Sequence, residues 1–183
     1  YSRDLVAWLV ELCERRDIFL IMDDIYNRLV FDGCAAPSAY AFTDRPTDDS
    51  KVIVINGVSK LYAMTGFRIG WAVGPAGVID ELWARHEYLT LSATMLSNHL
   101  AAYALSPAVR PHLIQRARGY IRRGYPVLEK WMGEQEGILS AVPPEAAAIA
   151  FVKYRLDINS TKFVERLREE KKVRIKYDLF LKL

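Results

Sequence analysis

Cysteine is scarce in this sequence, and the scarcity excludes two kinds of small protein. Only Cys13 and Cys34 occur, with no CxxC and no cluster of Cys and His at metal-ligand spacing. We therefore expect neither a disulfide framework nor a metal site. Two isolated cysteines are typical of reduced thiols, which predicts a cytoplasmic protein.

Long apolar runs and a strong net charge are also missing. No stretch approaches the ~18 consecutive apolar residues of a membrane-spanning helix, so we expect no membrane association. The 25 basic and 22 acidic residues leave a net charge of +3, which is too small to predict nucleic-acid binding by itself. Hydrophobic residues make up 51% of the chain, which is enough for a folded core.

The order of the predicted elements indicates an α/β fold. Short apolar runs predict strands at residues 18–22, 51–55 and 69–73. Helices are predicted from residue 2 to about residue 16, over 77–88, from residue 98, and over 111–132. This alternation favours a mainly parallel sheet, and the first run, apolar throughout, suits a strand buried on both faces.

A smaller α+β unit is predicted after Pro143 and Pro144. Its elements are a strand over 148–154, a helix over 160–170 and a strand over 173–175. We therefore expect a large domain at residues 1–112, followed by an interdomain helix and a small C-terminal domain at residues 113–183.

Four arginines cluster on the long predicted helix, at positions 116, 118, 122 and 123. Such a cluster could bind phosphate or nucleic acid. No aromatic platform or glycine-rich loop accompanies it, so we interpret it as a solvated helix face.

Side chains that can take part in acid–base or covalent chemistry follow the first two predicted strands. Asp23 and Asp24 end the first strand, and Ser59 and Lys60 follow the second. Two carboxylates at the end of a buried strand are costly unless they are paired or lie in a site. Ligands of parallel sheets gather at the carboxyl ends of the strands, so these residues are candidates for a site.

The spacing of these residues resembles a known signature. Residues 23–26, DDIY, resemble the D-E-x-Y segment of class I/II aminotransferases. Residues 56–71, NGVSKLYAMTGFRIGW, resemble their lysine-to-arginine signature, with the Lys, Thr-Gly, Arg and Gly spacings all kept. A weaker resemblance continues into the small unit after Pro144. On these motifs the chain is identified as a member of the fold-type-I, aspartate-aminotransferase-like enzymes that depend on pyridoxal 5'-phosphate (PLP).

The resemblance implies a role for five residues. Lys60 would hold the cofactor aldehyde as a Schiff base and, once released, would act as general base at the substrate α-carbon. Asp23 would hold the proton on the pyridine nitrogen, and Tyr26 would hydrogen-bond the phenolic oxygen O3′. Arg68 would clamp the phosphate with its planar fork of donors, and Ser59 is a further phosphate ligand.

The sequence departs from the family pattern at several points. Asp24 stands where the family usually has Glu, and it is the second candidate for the carboxylate at the pyridine nitrogen. Gly57 stands where many relatives carry a phosphate-binding Ser or Thr. The family also has an earlier glycine-rich phosphate loop and a late Arg for the substrate carboxylate, and neither has a match here. We therefore expect the chain to lack the family's N-terminal segment and C-terminal end.

The function that the resemblance implies is transfer of an amino group between an amino acid and a 2-oxo acid. Two alternatives share the signature. One is a PLP-dependent lyase or synthase of the same fold. The other is a non-catalytic aminotransferase-like domain, as in some transcription regulators.

The resemblance also implies a homodimer, because the family's active site lies at a subunit interface and the partner supplies a phosphate contact. Ser92 is the candidate for that contact. The apolar residues around it would suit an interface or a core; they are Leu89, Leu91, Met95 and Leu96.

Overall fold

The computed structural model describes residues 1–172. Its α-helices are α1 Arg3–Arg15, α2 Ala76–Thr90, α3 Met95–Leu105, α4 Arg110–Gly133 and α5 Ser160–Lys171. Its strands are β1 Leu20–Asp23, β2 Val52–Gly57, β3 Gly70–Val73, β4 Leu139–Ala141 and β5 Val152–Tyr154. The strand predicted at 173–175 lies outside the described residues.

The chain forms two compact units. Within the described residues, the first contains Tyr1–Leu128 and Pro143–Ala150, and the second contains Glu129–Val142 and residues 151–172. The helix α4 runs through residue 112, where the sequence placed a domain boundary. That boundary stays a prediction.

The sheet of the first unit is mixed, so the expectation of a mainly parallel sheet is wrong for its three strands. Their order is β1-β2-β3; β1 pairs with β2 in parallel, and β2 pairs with β3 in antiparallel, with Gly57 opposite Gly70. A parallel return needs a crossover connection, usually a helix. The loop between Gly57 and Gly70 instead folds back on itself, with the N–H of Val58 bonded to the carbonyl of Ile69 at 3.1 Å.

One face of this sheet is covered by α1. Ser2 caps the helix, with its hydroxyl accepting a 3.3 Å hydrogen bond from the N–H of Leu5. Val6 and Val10 of α1 pack there against Val52 and Val54 of β2 and against Ala39. The strand β1 is not buried on both faces as expected, because Ile21 on the opposite face is 61% exposed.

A second apolar cluster lies under the loops that follow β1 and β2. It contains Leu29, Val58, Leu61, Tyr62 and Ile69 from these loops, with Ala101 and Ala104 of α3 and Ile121 of α4. The loops that carry the candidate site residues therefore pack against α3 and α4.

The second unit pairs β4 with β5 in antiparallel, Leu139 opposite Tyr154. The side chain of Asn159 caps α5 by accepting a 2.9 Å hydrogen bond from the N–H of Thr161. The ring of Tyr154 packs on that of Phe163, with 4.8 Å between centroids. The observed β5 is shorter than the strand expected over 148–154, because only Val152–Tyr154 pair with β4.

Through residue 172, no helix combines the length and apolar character needed to cross a membrane. Over the same residues, no group of three or more His, Cys, Asp and Glu side chains is arranged to hold a metal ion.

Candidate active site

The turn after β1 carries the first predicted site residues. Asp23 is the last residue of β1, and its Oδ1 accepts a 3.2 Å hydrogen bond from the N–H of Ile25. The N–H of Asp24 donates to the carbonyl of Ile55 on β2 at 2.8 Å, so the turn is bound to the neighbouring strand. Tyr26 is half-buried and packs against the second apolar cluster, while Asp23 is exposed.

The loop after β2 carries Lys60. Its backbone is closed by a 3.2 Å hydrogen bond from the N–H of Met64 to the carbonyl of Val58, and by a 3.1 Å bond from the N–H of Ala63 to the carbonyl of Lys60. Val58 and Leu61 are buried on either side of Lys60, whereas Lys60 itself is exposed. The apolar neighbours hold the loop to the core and leave the amine accessible.

The two turns lie side by side because β1 and β2 are parallel neighbours. The Cδ1 atom of Ile25 lies 3.4 Å from the position that a Cβ on Gly57 would take. The same Cβ would lie 2.9 Å from the carbonyl oxygen of Ile69 and 3.2 Å from the Cα of Gly70. In this chain the backbone leaves no room for a side chain at position 57, where many relatives carry Ser or Thr.

Arg68 lies on the same loop as Lys60 and has an uncommon backbone conformation. Its φ is 54° and its ψ is 42°, in the left-handed region that residues other than glycine rarely adopt. Its guanidinium donates a 2.9 Å hydrogen bond to the carbonyl of Thr65. Such conformations cost energy and cluster at functional sites. Ser59, half-buried, precedes Lys60 on this loop.

Asp24 and its neighbour Asp23 have opposite environments. Asp24 is 7% exposed, and its Oδ2 has no hydrogen-bond partner within residues 1–172. Burial raises the pKa of the Asp24 carboxyl, a hydrogen bond from the Asn27 side chain opposes that rise, and the charge of Asp23 adds to it. Buried carboxylates usually have partners, so this one is costly as it stands.

Five predicted site residues lie on the turn after β1 and on the loop between β2 and β3, at the same end of the sheet. They are Asp23, Tyr26, Ser59, Lys60 and Arg68. They present a carboxylate, a phenol, a hydroxyl, a primary amine and a guanidinium. These groups complement the ring nitrogen, phenolic oxygen, aldehyde and phosphate of PLP, so the donor set fits that cofactor.

Ser92 lies on the turn between α2 and α3 and is exposed. The apolar residues around it are exposed as well: Leu89 by 79%, Leu91 by 76%, Met95 by 75% and Leu96 by 68%. They form no core in the part of the chain that the structure describes, so that interpretation is wrong there. The interface interpretation stays a prediction.

The arginines of α4 contact the site loops, which the sequence did not predict. Arg116 donates to the carbonyl of Tyr62 at 3.4 Å, Arg118 donates to the carbonyl of Arg28 at 3.0 Å, and Arg122 pairs with Asp32. Arg116 and Arg122 are exposed, in keeping with a solvated helix face, but both, like the half-buried Arg118, also contact the loops of the candidate site. The partners lie 54 and 90 residues away in sequence, so no local pattern could reveal them.

Comparisons with known proteins agree with this arrangement of loops and strands. The family model described as aminotransferase class I and II matches residues 1–177. An aspartate aminotransferase of Bacillus subtilis (strain 168) is 30% identical over 96% of this chain and 45% of its own length. Capreomycidine synthase of Streptomyces vinaceus is 32% identical over 87% of this chain and 39% of its own.

Among solved structures, a PLP-dependent aminotransferase from Streptococcus suis 89-1591 superposes with a TM-score of 0.82 at 26% identity. The match covers 95% of this chain and 44% of that one. The chain thus spans less than half the length of the relatives that it matches.

Proposed function

This chain belongs to the class I and II aminotransferase family, and from that premise we propose that it is the part of a PLP-dependent aminotransferase that carries the cofactor lysine. The proposed reaction moves an amino group between an amino acid and a 2-oxo acid. One observation supports this most directly. The parallel pairing of β1 and β2 places the Asp23 turn beside the Lys60 loop, with Ile25 against Gly57.

Lys60 is the proposed covalent anchor and proton carrier. When bound, PLP supplies an electron sink for negative charge at the substrate α-carbon. The Nζ of Lys60 would hold the cofactor aldehyde and, when free, would take the proton from the α-carbon as general base. Its exposure in a well-anchored loop supports both roles.

Asp23 is the proposed partner of the pyridine nitrogen, where it would hold the ring proton by ion pairing. Its Oδ1 accepts from the N–H of Ile25, and the side chain is exposed. Asp24, the second candidate, is buried, and its Oδ2 lies out of reach of solvent. The exposure of the two carboxylates therefore favours Asp23.

The remaining proposed contacts orient the cofactor. The hydroxyl of Tyr26 would donate to O3′, the Arg68 guanidinium would bind the phosphate, and the Ser59 hydroxyl would add a further phosphate contact. The Arg68 guanidinium is exposed and makes one hydrogen bond to a backbone carbonyl within its own loop. It therefore has donors left for a ligand.

The test is to add PLP to the purified chain and record its absorbance before and after borohydride, followed by peptide mapping. We expect a visible band that borohydride removes, with the cofactor fixed on Lys60. Lys60→Ala should lose the band and remain folded by circular dichroism.

Lys51→Ala provides the control, because Lys51 lies at the opposite end of β2, where it pairs with Asp17 at 2.8 Å. That variant should keep the band. An unchanged spectrum in Lys60→Ala would reject the assignment of Lys60.

A homodimer in the cytoplasm is the proposed form of the protein. The four exposed apolar residues around Ser92 support a subunit contact there, with Ser92 reaching the partner's phosphate site. Sedimentation of the wild type and of Leu89→Glu would test this, because a charge at a buried contact should shift the chain to monomers. Equal sedimentation of the two would contradict the placement.

A second candidate is a PLP-dependent synthase, supported by the 32% identity to capreomycidine synthase. Product analysis separates the two. An aminotransferase converts a 2-oxo acid into an amino acid in step with the amino donor, whereas a synthase or lyase alters the amino-acid side chain without a 2-oxo acid.

A further inference from the structure

The loop that carries Lys60 is tied to α4 through Tyr62. This residue is 5% exposed, and its hydroxyl accepts a 3.2 Å hydrogen bond from the Nε of Arg110. Its backbone carbonyl accepts a 3.4 Å bond from Arg116. Two side chains of the helix therefore bind one residue that lies two positions after Lys60.

The turn that carries Tyr26 is tied to the same helix through Arg28. The Nε of Arg118 donates a 3.0 Å hydrogen bond to the carbonyl of Arg28, two positions after Tyr26. One helical turn further along, Arg122 forms an ion pair with Asp32. Leu29, between these contacts, is buried in the same apolar cluster as Ile121 of α4.

A helix fixes the distance between the side chains that make such contacts, since each residue advances it by about 1.5 Å. Arg110 and Arg118 are thus about 12 Å apart along one axis. A guanidinium also binds a carbonyl or hydroxyl with charged, directional donors, which gives stronger hydrogen bonds than neutral groups give. The two loops are therefore held at a set separation by one element.

We propose that α4 positions the two loops of the candidate site against each other, with Arg110 and Arg118 as positioning residues. Arg110 acts on the Lys60 loop through the Tyr62 hydroxyl, and Arg118 acts on the Tyr26 turn through the Arg28 carbonyl. The inference rests on the proposed function only in so far as these loops hold the cofactor.

The first experiment needs no cofactor. Amide hydrogen exchange is measured on the wild type, Tyr62→Phe, Arg118→Gln and Arg123→Gln. Tyr62→Phe removes only the hydroxyl that Arg110 binds. Arg123 is the matched control, because its guanidinium lies over the Tyr120 ring on the same helix.

We expect exchange about threefold to tenfold faster over residues 58–64 in Tyr62→Phe and over 24–29 in Arg118→Gln, as the loss of one hydrogen bond would produce. Arg123→Gln should leave both segments unchanged, and Arg118→Lys, which keeps a charged donor, should restore most of the protection at 24–29. Unchanged exchange in both loops, or an equal rise in all variants, would overturn the proposal.

The second experiment measures PLP capture at Lys60 by borohydride in the same variants. Slower capture in Tyr62→Phe and Arg118→Gln, with Arg123→Gln equal to wild type, supports the positioning role. Capture at the wild-type rate in all of them would overturn it. Absence of capture in the wild type would reject the proposed function instead, and the hydrogen-exchange result would still decide whether α4 holds the loops.

Discussion

The side-chain hydroxyl of Thr65 donates a 2.8 Å hydrogen bond to the carbonyl oxygen of Ser59. The bond closes the turn that contains Lys60, next to the backbone bond from the N–H of Met64 to the carbonyl of Val58. Thr65 is thus bonded to the residue that precedes the candidate amine of Lys60.

Thr65→Val is expected to loosen the Lys60 turn, because it replaces the hydroxyl with a methyl group of similar size. The expected loss of stability is about 0.5–1.5 kcal/mol, nearer the lower value because the bond is exposed. Urea unfolding and the rate of PLP capture at Lys60 measure the two effects. Thr65→Ser keeps the hydroxyl and should match the wild type; equal behaviour of the two variants would show that the bond does not matter.

Gly57→Ser is expected to destabilise the chain rather than create a phosphate ligand. The new Cβ would lie 2.9 Å from the carbonyl oxygen of Ile69, and that oxygen belongs to backbone that cannot rotate away. Overpacking of this kind costs about 1–3 kcal/mol. Gly66→Ser, on the same loop with no atom within 4 Å of its Cβ, is the control for unfolding measurements. The steric argument fails if both substitutions have the same cost.

Two substitutions of Arg68 separate the cost of its left-handed backbone conformation from the role of its guanidinium. A left-handed conformation costs a residue with a Cβ roughly 1–2 kcal/mol. Glycine avoids that cost but loses about 0.4–1 kcal/mol through the greater freedom of the unfolded chain. Arg68→Gly should therefore be more stable than Arg68→Ala by up to about 1.6 kcal/mol in urea unfolding.

Both Arg68 variants should bind PLP more weakly than the wild type, because both remove the guanidinium. Titration of PLP absorbance measures this. An alanine variant at least as stable as the glycine variant would contradict the conformational argument, whereas wild-type PLP affinity would contradict the proposed phosphate contact.

We expect the stability of the chain to depend on pH through the buried carboxyl of Asp24. Burial raises the pKa of its carboxyl above the ordinary value of 3.8. Below that value the carboxyl is protonated in the folded and in the unfolded chain, and the contribution of the protonated carboxyl to stability is fully present. As the pH rises through the folded-state pKa, the folded chain must ionise a buried group, so this stability is lost.

Asp24→Asn cannot ionise, so its unfolding free energy should improve relative to wild type as the pH rises from about 4 to about 7. Urea unfolding at several pH values measures that difference. Asp80→Asn, at an exposed position on α2, is the control. A difference between Asp24→Asn and wild type that stays constant with pH would show that Asp24 does not titrate differently on folding.

Local patterns in the sequence were sufficient for most helices and strands. Ser2 followed by apolar residues at helical spacing predicted α1, which the structure places at Arg3–Arg15. The apolar run after Lys51 predicted β2. Helix periodicity and strand composition depend on neighbours a few residues away, so they can be read from the chain alone. The family assignment, from residues 23–26 and 56–71, also depended on short spacings, and the comparisons confirmed it.

Tertiary contacts decided the strand direction, the burial and the side-chain partners that the spacing of residues in the sequence did not determine. The direction of β3 depended on a loop that closes through Val58 and Ile69, and this made the sheet mixed. The burial of Asp24 beside an exposed Asp23 could not be inferred from two adjacent carboxylates. The arginines of α4 found partners up to 90 residues away, where a helical repeat carries no information. Residue types and their short-range order thus determined which elements form and which family the chain resembles, whereas packing between distant segments determined which side chains are buried, paired or accessible.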